Sequence, residues 1–233
     1  MLNHLNIKKP LISYYKQTEK TKSTQIIEKI NSGKNVALVS DAGTPGISDP
    51  GEEIVKLAIN EGISVVPIPG ACAMVNALIA SGMKTKEFLF VGFLSTNKKE
   101  KKEKLGELKL QEQTLIFYEA PHKILNTLED MLEILGDRNI VLAREITKIH
   151  EEFIRGNITK ILENLKEPKG EFVIIVEGSY QTKKEILLKE LNDMTLEEHF
   201  EYYEKQGLDK KEIIKKISKD RNVNKNEIYQ HFI

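Results

Sequence analysis

The sequence predicts an α/β fold, built as two α/β domains followed by a small helical domain. Three observations predict it. Short apolar runs alternate with amphipathic stretches of helical spacing. Turns rich in glycine and proline follow several of those runs. Beyond Gly178 the strand signals stop, and the chain becomes highly charged and helical in pattern. The changes divide the chain at residues 1–84, 85–180 and 185–233.

In the first domain, residues 36–40 (Val-Ala-Leu-Val-Ser) form a continuous apolar run, as expected of a strand covered on both faces. Residues 63–67 read as the next strand, and the helix between the two stops at Gly62. A further helix spans about 71–81. The second domain opens with a strand at 88–91 and passes through a lysine-rich stretch at 98–104. A strand at 114–118 follows, then a helix at 124–135 that stops at Gly136, and strands at 140–143 and 172–176. The pairing expected from this alternation is mainly parallel.

Lys plus Arg equals Asp plus Glu at 35 each. A neutral chain exerts no global pull on nucleic acid, so RNA binding would have to come from local patches. Cys72 is the only cysteine, which excludes an internal disulfide and a Cys-pair metal site; no other metal-ligand spacing is present. Residues 1–10 do not resemble a signal peptide and no apolar run reaches membrane-spanning length, so the cytoplasm is the expected location.

The most informative segment is residues 40–51, Ser-Asp-Ala-Gly-Thr-Pro-Gly-Ile-Ser-Asp-Pro-Gly. It joins a strand to a helix, where open α/β sheets place their ligands. Its glycines and prolines demand special backbone angles and let a ligand approach the main chain. The spacing fits neither the dinucleotide nor the triphosphate loop pattern, and Asp41 and Asp49 would repel a pyrophosphate. An adenosine-bearing ligand with a positive centre suits it better; a plain turn rich in chain breakers is the other reading. Residues 67–72, Pro-Ile-Pro-Gly-Ala-Cys, form a second strand-to-helix turn, either a ligand wall or a structural turn. Glu119, in Tyr-Glu-Ala-Pro-His-Lys at 118–123, is either a helix cap or a carboxylate aimed into the crevice. Residues 143–152 crowd Arg144, Glu145, Lys148, His150, Glu151 and Glu152 beyond a strand end, as a solvated charge run or as part of a site.

These segments, in this order, resemble the small-subunit ribosomal RNA cytidine-2′-O-methyltransferases, a branch of the tetrapyrrole methylase superfamily. The resemblance runs from about Leu2 to Gly178, and the tail is similar to the family's helical extension. It implies two α/β domains with S-adenosylmethionine in the cleft between them, and a homodimer. Carried onto this chain, the family's cofactor contacts fall on Ser40, Asp41, Ala42, Gly43 and Ile47, then Ala71 and Cys72, then Tyr118, Ala143 and Gly170. The implied partner is 16S rRNA within the 30S subunit, with no membrane involved. Family members also carry a strand, a glycine-containing turn, a helix and an acidic-arginine segment before the point that matches Leu2. A shortened gene product and a misassigned start codon are the two readings of that difference, and an open sheet edge beside the cofactor site is its expected consequence.

Transfer of a methyl group to a ribose hydroxyl depends mainly on alignment, helped by a base or by a cation that stabilises the developing alkoxide. Glu119, Arg144, Glu145, Lys148, His150 and Glu151 are the candidates. Glu119 and Glu145 are assigned near the chemistry, with Arg144 and Lys148 orienting phosphate and ribose. Two alternatives stand beside this reading: a tetrapyrrole C-methyltransferase, and an RNA-binding protein with impaired catalysis.

Overall fold

A computed structural model describes Leu2 and residues 4–166, 168–180 and 183–232. The N-terminal region contributes three helices, α1 (Glu19–Asn31), α2 (Glu52–Asn60) and α3 (Ala73–Ser81). Ile26 and Ile27 bury the inner face of α1, which packs on α2. The Glu19 carboxylate accepts a hydrogen bond from the Gly51 amide at 3.0 Å, fixing the start of α2. Helix α3 stops at Gly82, whose left-handed backbone (φ +79°) ends the helix as a glycine readily does.

The strands expected at 36–40 and 63–67 do not form. Both stretches lack a hydrogen-bonded ladder among the described residues, and Val36, Val39, Val65 and Val66 are exposed. A strand exists only when its N–H and C=O groups find a lateral partner. Apolar character supplies a reason to be buried and no partner.

The sheet lies entirely within the next hundred or so residues. It is made of β1 (Phe88–Phe93), β2 (Thr114–Glu119), β3 (Asn139–Arg144), β4 (Glu152–Asn157) and β5 (Phe172–Val176). Helices α4 (Lys98–Leu108), α5 (Ile124–Leu135) and α6 (Ile158–Asn164) connect them. The order is β1-β2-β5-β3-β4. Only β1 and β2 run parallel; β5 inserts antiparallel between β2 and β3, and β4 pairs antiparallel with β3. The expectation of mainly parallel pairing is therefore corrected. A strand covered on both faces is apolar throughout in either orientation, so the runs themselves carry no direction.

Alternate residues divide the sheet between two cores. Leu115, Phe117, Ile140, Leu142, Ile174 and Val176 face α4, α5 and α6. Ile116, Val141, Ala143, Val173 and Ile175 face α3, through Ala77 and Leu78. The helix that precedes the sheet in the chain is thus its cover on one side.

The tail folds into α7 (Lys183–Asp193), α8 (Leu196–Glu204), α9 (Lys210–Arg221) and α10 (Lys225–His231). Its core is separate, made of Leu191, Tyr203, Ile213, Ile214, Ile217 and Ile228. Capping boxes start α8 (Thr195 with Glu198) and α9 (Asp209 with Glu212). Arg221 staples the module, donating to the carbonyls of Leu191, Met194 and Thr195 and to Nδ1 of the buried His199. No described helix is long and apolar enough to cross a membrane.

Candidate cofactor cleft

The 40–51 loop is shaped by its own small residues. The Ser40 hydroxyl donates within the loop, to the carbonyls of Ala42 (3.2 Å) and Gly43 (3.3 Å). Gly43 takes a left-handed conformation (φ +70°), and a Cβ there would lie 3.0 Å from the Ala71 carbonyl oxygen. That same oxygen accepts from the Thr44 amide (2.8 Å) and from the Thr44 hydroxyl (3.0 Å). The first glycine-rich turn is therefore stitched to the second at Ala71. Asp41, Ala42, Gly43, Ile47 and Asp49 stay exposed on this surface.

The second turn is in turn tied to the sheet. Tyr118, near the end of β2, accepts a hydrogen bond on its hydroxyl from the Met74 amide at 3.1 Å, in the first turn of α3. Phe90 and Phe93 pack edge-on against its ring, at 5.0 and 5.6 Å between centroids. Burial pushes the Tyr118 phenol above its ordinary pKa, and its electrostatic neighbours include Cys72 and Asp49. It stays a neutral hydrogen-bonding group at physiological pH. The 40–51 loop, Ala71–Cys72 and Tyr118 accordingly meet at one end of the sheet.

Ala143 reaches the same end by register. Tyr118 and Ala143 both pair with Val173 across the antiparallel ladder, so they share the face that packs on α3. Gly170, two residues before β5, completes the group. Its φ is +83°, and a Cβ would come within 2.4 Å of the Glu145 side chain. No other residue type fits there without displacing Glu145.

The charged candidates separate in character. Glu119 is buried; one carboxylate oxygen accepts from the Ala120 amide and the other from the Thr127 hydroxyl at 2.7 Å. Neither bond caps α5, whose N-cap position is Lys123 with no side-chain cap; the carboxylate instead turns to Thr127 in the first turn of that helix. Arg144 bridges to Glu152 at 2.8 Å across the β3–β4 ladder, while its Nε is buried without a partner among the described residues. Glu145, in a left-handed conformation (φ +51°), accepts from Lys148 Nζ (2.9 Å) and from the Glu171 amide (2.9 Å). Lys148 also reaches the Glu171 carboxylate at 3.2 Å. The Lys148 ammonium, then the Glu171 amide, hold the Glu145 carboxyl below the usual carboxylate range; Glu145, then Glu171, raise the lysine. Both groups stay charged at neutral pH. His150 and Glu151 are exposed on the same turn, where the Glu151 carboxylate accepts from the Thr147 amide at 2.6 Å.

Sequence reasoning passes over four participants. Thr44 joins the two turns, Phe90 and Phe93 wedge Tyr118, and Glu171 binds both partners of the Glu145–Lys148 pair. Each of these contacts joins residues far apart in the chain, so none has a local signal.

The sequence profile of the Tetrapyrrole (Corrin/Porphyrin) Methylases matches residues 7–162. The chain belongs to the tetrapyrrole methylase family. It is similar to the ribosomal RNA small subunit methyltransferase I of Bacillus subtilis (strain 168), 49% identical over 228 residues, 97% of this chain and 78% of that protein. The protein of the same name from Halalkalibacterium halodurans is 46% identical over 233 residues, covering 98% of this chain and 80% of that protein. Among solved structures, a diphthine synthase superposes with a TM-score of 0.57 at 15% identity, over 76% of this chain and 72% of that one. The methyltransferase CobJ gives 0.53 at 20% identity, over 69% and 72%. These two likenesses show the fold, which is the α/β tetrapyrrole methylase type.

Proposed function

We propose that this member of the family is an S-adenosylmethionine-dependent methyltransferase of small-subunit ribosomal RNA, acting on a cytidine ribose 2′-hydroxyl in the 30S subunit. The observation that carries the cofactor reading is the seam at Ala71, where the 40–51 loop, Cys72 and Tyr118 converge. S-adenosylmethionine, the family's methyl donor, supplies an activated methyl group on a sulfonium centre. The exposed carboxylates Asp41 and Asp49 make no hydrogen bond or ion pair among the described residues and complement such a positive centre. Ser40, Ala42 and Gly43 leave the main chain open to close approach, with Ala71, Ala143 and Gly170 as small walls.

The acceptor side falls to Arg144, Glu145 and Lys148. A lowered carboxyl makes Glu145 a weak base for a hydroxyl as poorly acidic as that of ribose. Its work is to position Lys148, whose persistent positive charge stabilises an alkoxide as it develops. Arg144 orients phosphate, with one guanidinium edge already committed to Glu152. Glu119, buried and bonded to Thr127, ties the end of β2 to α5. The relatives' names support the ribosomal substrate over a tetrapyrrole. The reading includes a cytoplasmic homodimer, for which the exposed apolar side chains Val39, Val66 and Ile68 offer surface.

The test is direct. The purified chain, S-adenosylmethionine and unmethylated 30S subunits should yield one ribose-methylated cytidine by mass spectrometry of rRNA digests. Methylation of a precorrin with none on 30S subunits would move the assignment to the tetrapyrrole branch.

A further inference from the structure

Helix α9 buries its isoleucines and exposes five lysines. Ile213, Ile214 and Ile217 are buried, while Lys210, Lys211, Lys215, Lys216 and Lys219 are exposed. Two of these lysines are engaged within the module. Lys210 donates to the Phe232 carbonyl at 2.9 Å, and Lys216 lies over the Tyr203 ring, 4.6 Å from its centroid. The neighbouring acids are engaged as well. Asp209 and Glu212 cap each other's amides at 2.8 and 3.3 Å, and Asp220 takes the Tyr203 hydroxyl at 2.5 Å. Lys211, Lys215 and Lys219 have no ion-pair partner among the described residues.

Those three recur every fourth residue, about 6 Å apart along the axis and within roughly 80° of arc, nearly opposite the isoleucines. The acids that would neutralise them are turned into caps and the core, so the row faces water as an uncompensated positive strip. On a chain of zero net charge, attraction to a polyanion must arise from such a strip. A helix that lies on a bilayer sets apolar residues beside its lysines. Here the apolar residues of α9 are consumed by the module's own core, which favours a phosphate backbone.

We propose that Lys211, Lys215 and Lys219 form a row that tracks phosphates of the ribosomal RNA, so that the helical module holds the substrate while the cleft reacts. This rests on the ribosomal substrate reading above. The stapling by Arg221 keeps the row on a preorganised support.

The experiment is binding of the full chain to 30S subunits across a range of salt, comparing wild type with K211Q/K215Q/K219Q and K211R/K215R/K219R. The glutamine variant should bind on the order of tenfold more weakly at about 0.1 M salt, and its log–log salt slope should fall by about two. The arginine variant should keep both the affinity and the slope, and S-adenosylmethionine affinity should be unchanged in all three proteins. Should the triple glutamine variant lose its helical signal, the single exposed change Lys215→Glu reads the same effect. Wild-type affinity and slope in the folded glutamine or Lys215→Glu variant would overturn the row alone. Failure of the wild type to bind either 30S subunits or the free rRNA transcript would overturn the row together with the substrate reading.

Discussion

Residues 36–39 and β5 are both continuous apolar runs followed by a functional turn or preceded by one, yet they end in opposite environments. β5 is buried along its whole length, with β2 on one edge and β3 on the other. Val36 and Val39 stand in solvent with no ladder among the described residues. What separates them is pairing, which is set by chain segments tens of residues away. The two glycine-bearing turns follow the unpaired runs, joined to each other at Ala71 and tied to the sheet by the Met74–Tyr118 hydrogen bond and the packing of α3.

The largest effect that tests this contrast is on stability. Phe117, fully buried in β2, should lose about 3–5 kcal/mol on change to Ala, read by urea unfolding. Val66→Ala, at a side chain 70% exposed, should stay within about 0.5 kcal/mol. Equal losses would mean that 63–67 is packed in solution and would erase the contrast. A smaller effect tests the turns. Gly43→Val forces a β-branched residue into a left-handed turn against Ala71, with strain of about 1–3 kcal/mol. If that strain falls on binding, S-adenosylmethionine affinity drops roughly 5- to 150-fold by calorimetry, with the unfolding of the sheet unchanged. Unaltered affinity in a folded variant removes the loop from the cofactor site.

The smallest effect is electrostatic. The lowered carboxyl of Glu145 contributes stability that is complete above the ordinary carboxylate pKa and fades as pH falls through its lowered value. The raised Lys148 contributes below the ordinary ammonium pKa and loses its contribution as pH rises through its raised value. Stability from this turn is therefore flat around neutrality, and Glu145→Gln should shift both the acid and the alkaline shoulders of a stability–pH curve, slightly, because the pair is exposed. A change centred near pH 7 would show that another group governs the turn.

Much of the sheet half is legible from sequence because its signals are local. The spacing in Ile124–Leu135 and the run Phe172–Val176 coincide with α5 and β5. β4 escapes, since Glu152 and Arg155 give Glu152–Asn157 the look of a charged loop; its pairing with β3 is what makes it a strand. In the site, the two glycine-bearing turns are legible because their composition requires unusual backbone. The direction of Glu119 is not, because it is decided by Thr127, eight residues further along in α5. Nor is the role of Thr44, whose partner Ala71 lies 27 residues further along.

Helix α3 has a consequence for any attempt to cut this protein. By chain order it belongs with the first region, but Ala77 and Leu78 roof the sheet over Ile116, Val141, Val173 and Ile175. A fragment excised after Gly82 would keep all five strands and lose that roof. Its bare apolar sheet face would seek other copies of itself, so the excised piece should clump. The natural seam for excision lies ahead of α3, at the price of carrying the Ala71 turn along with the sheet.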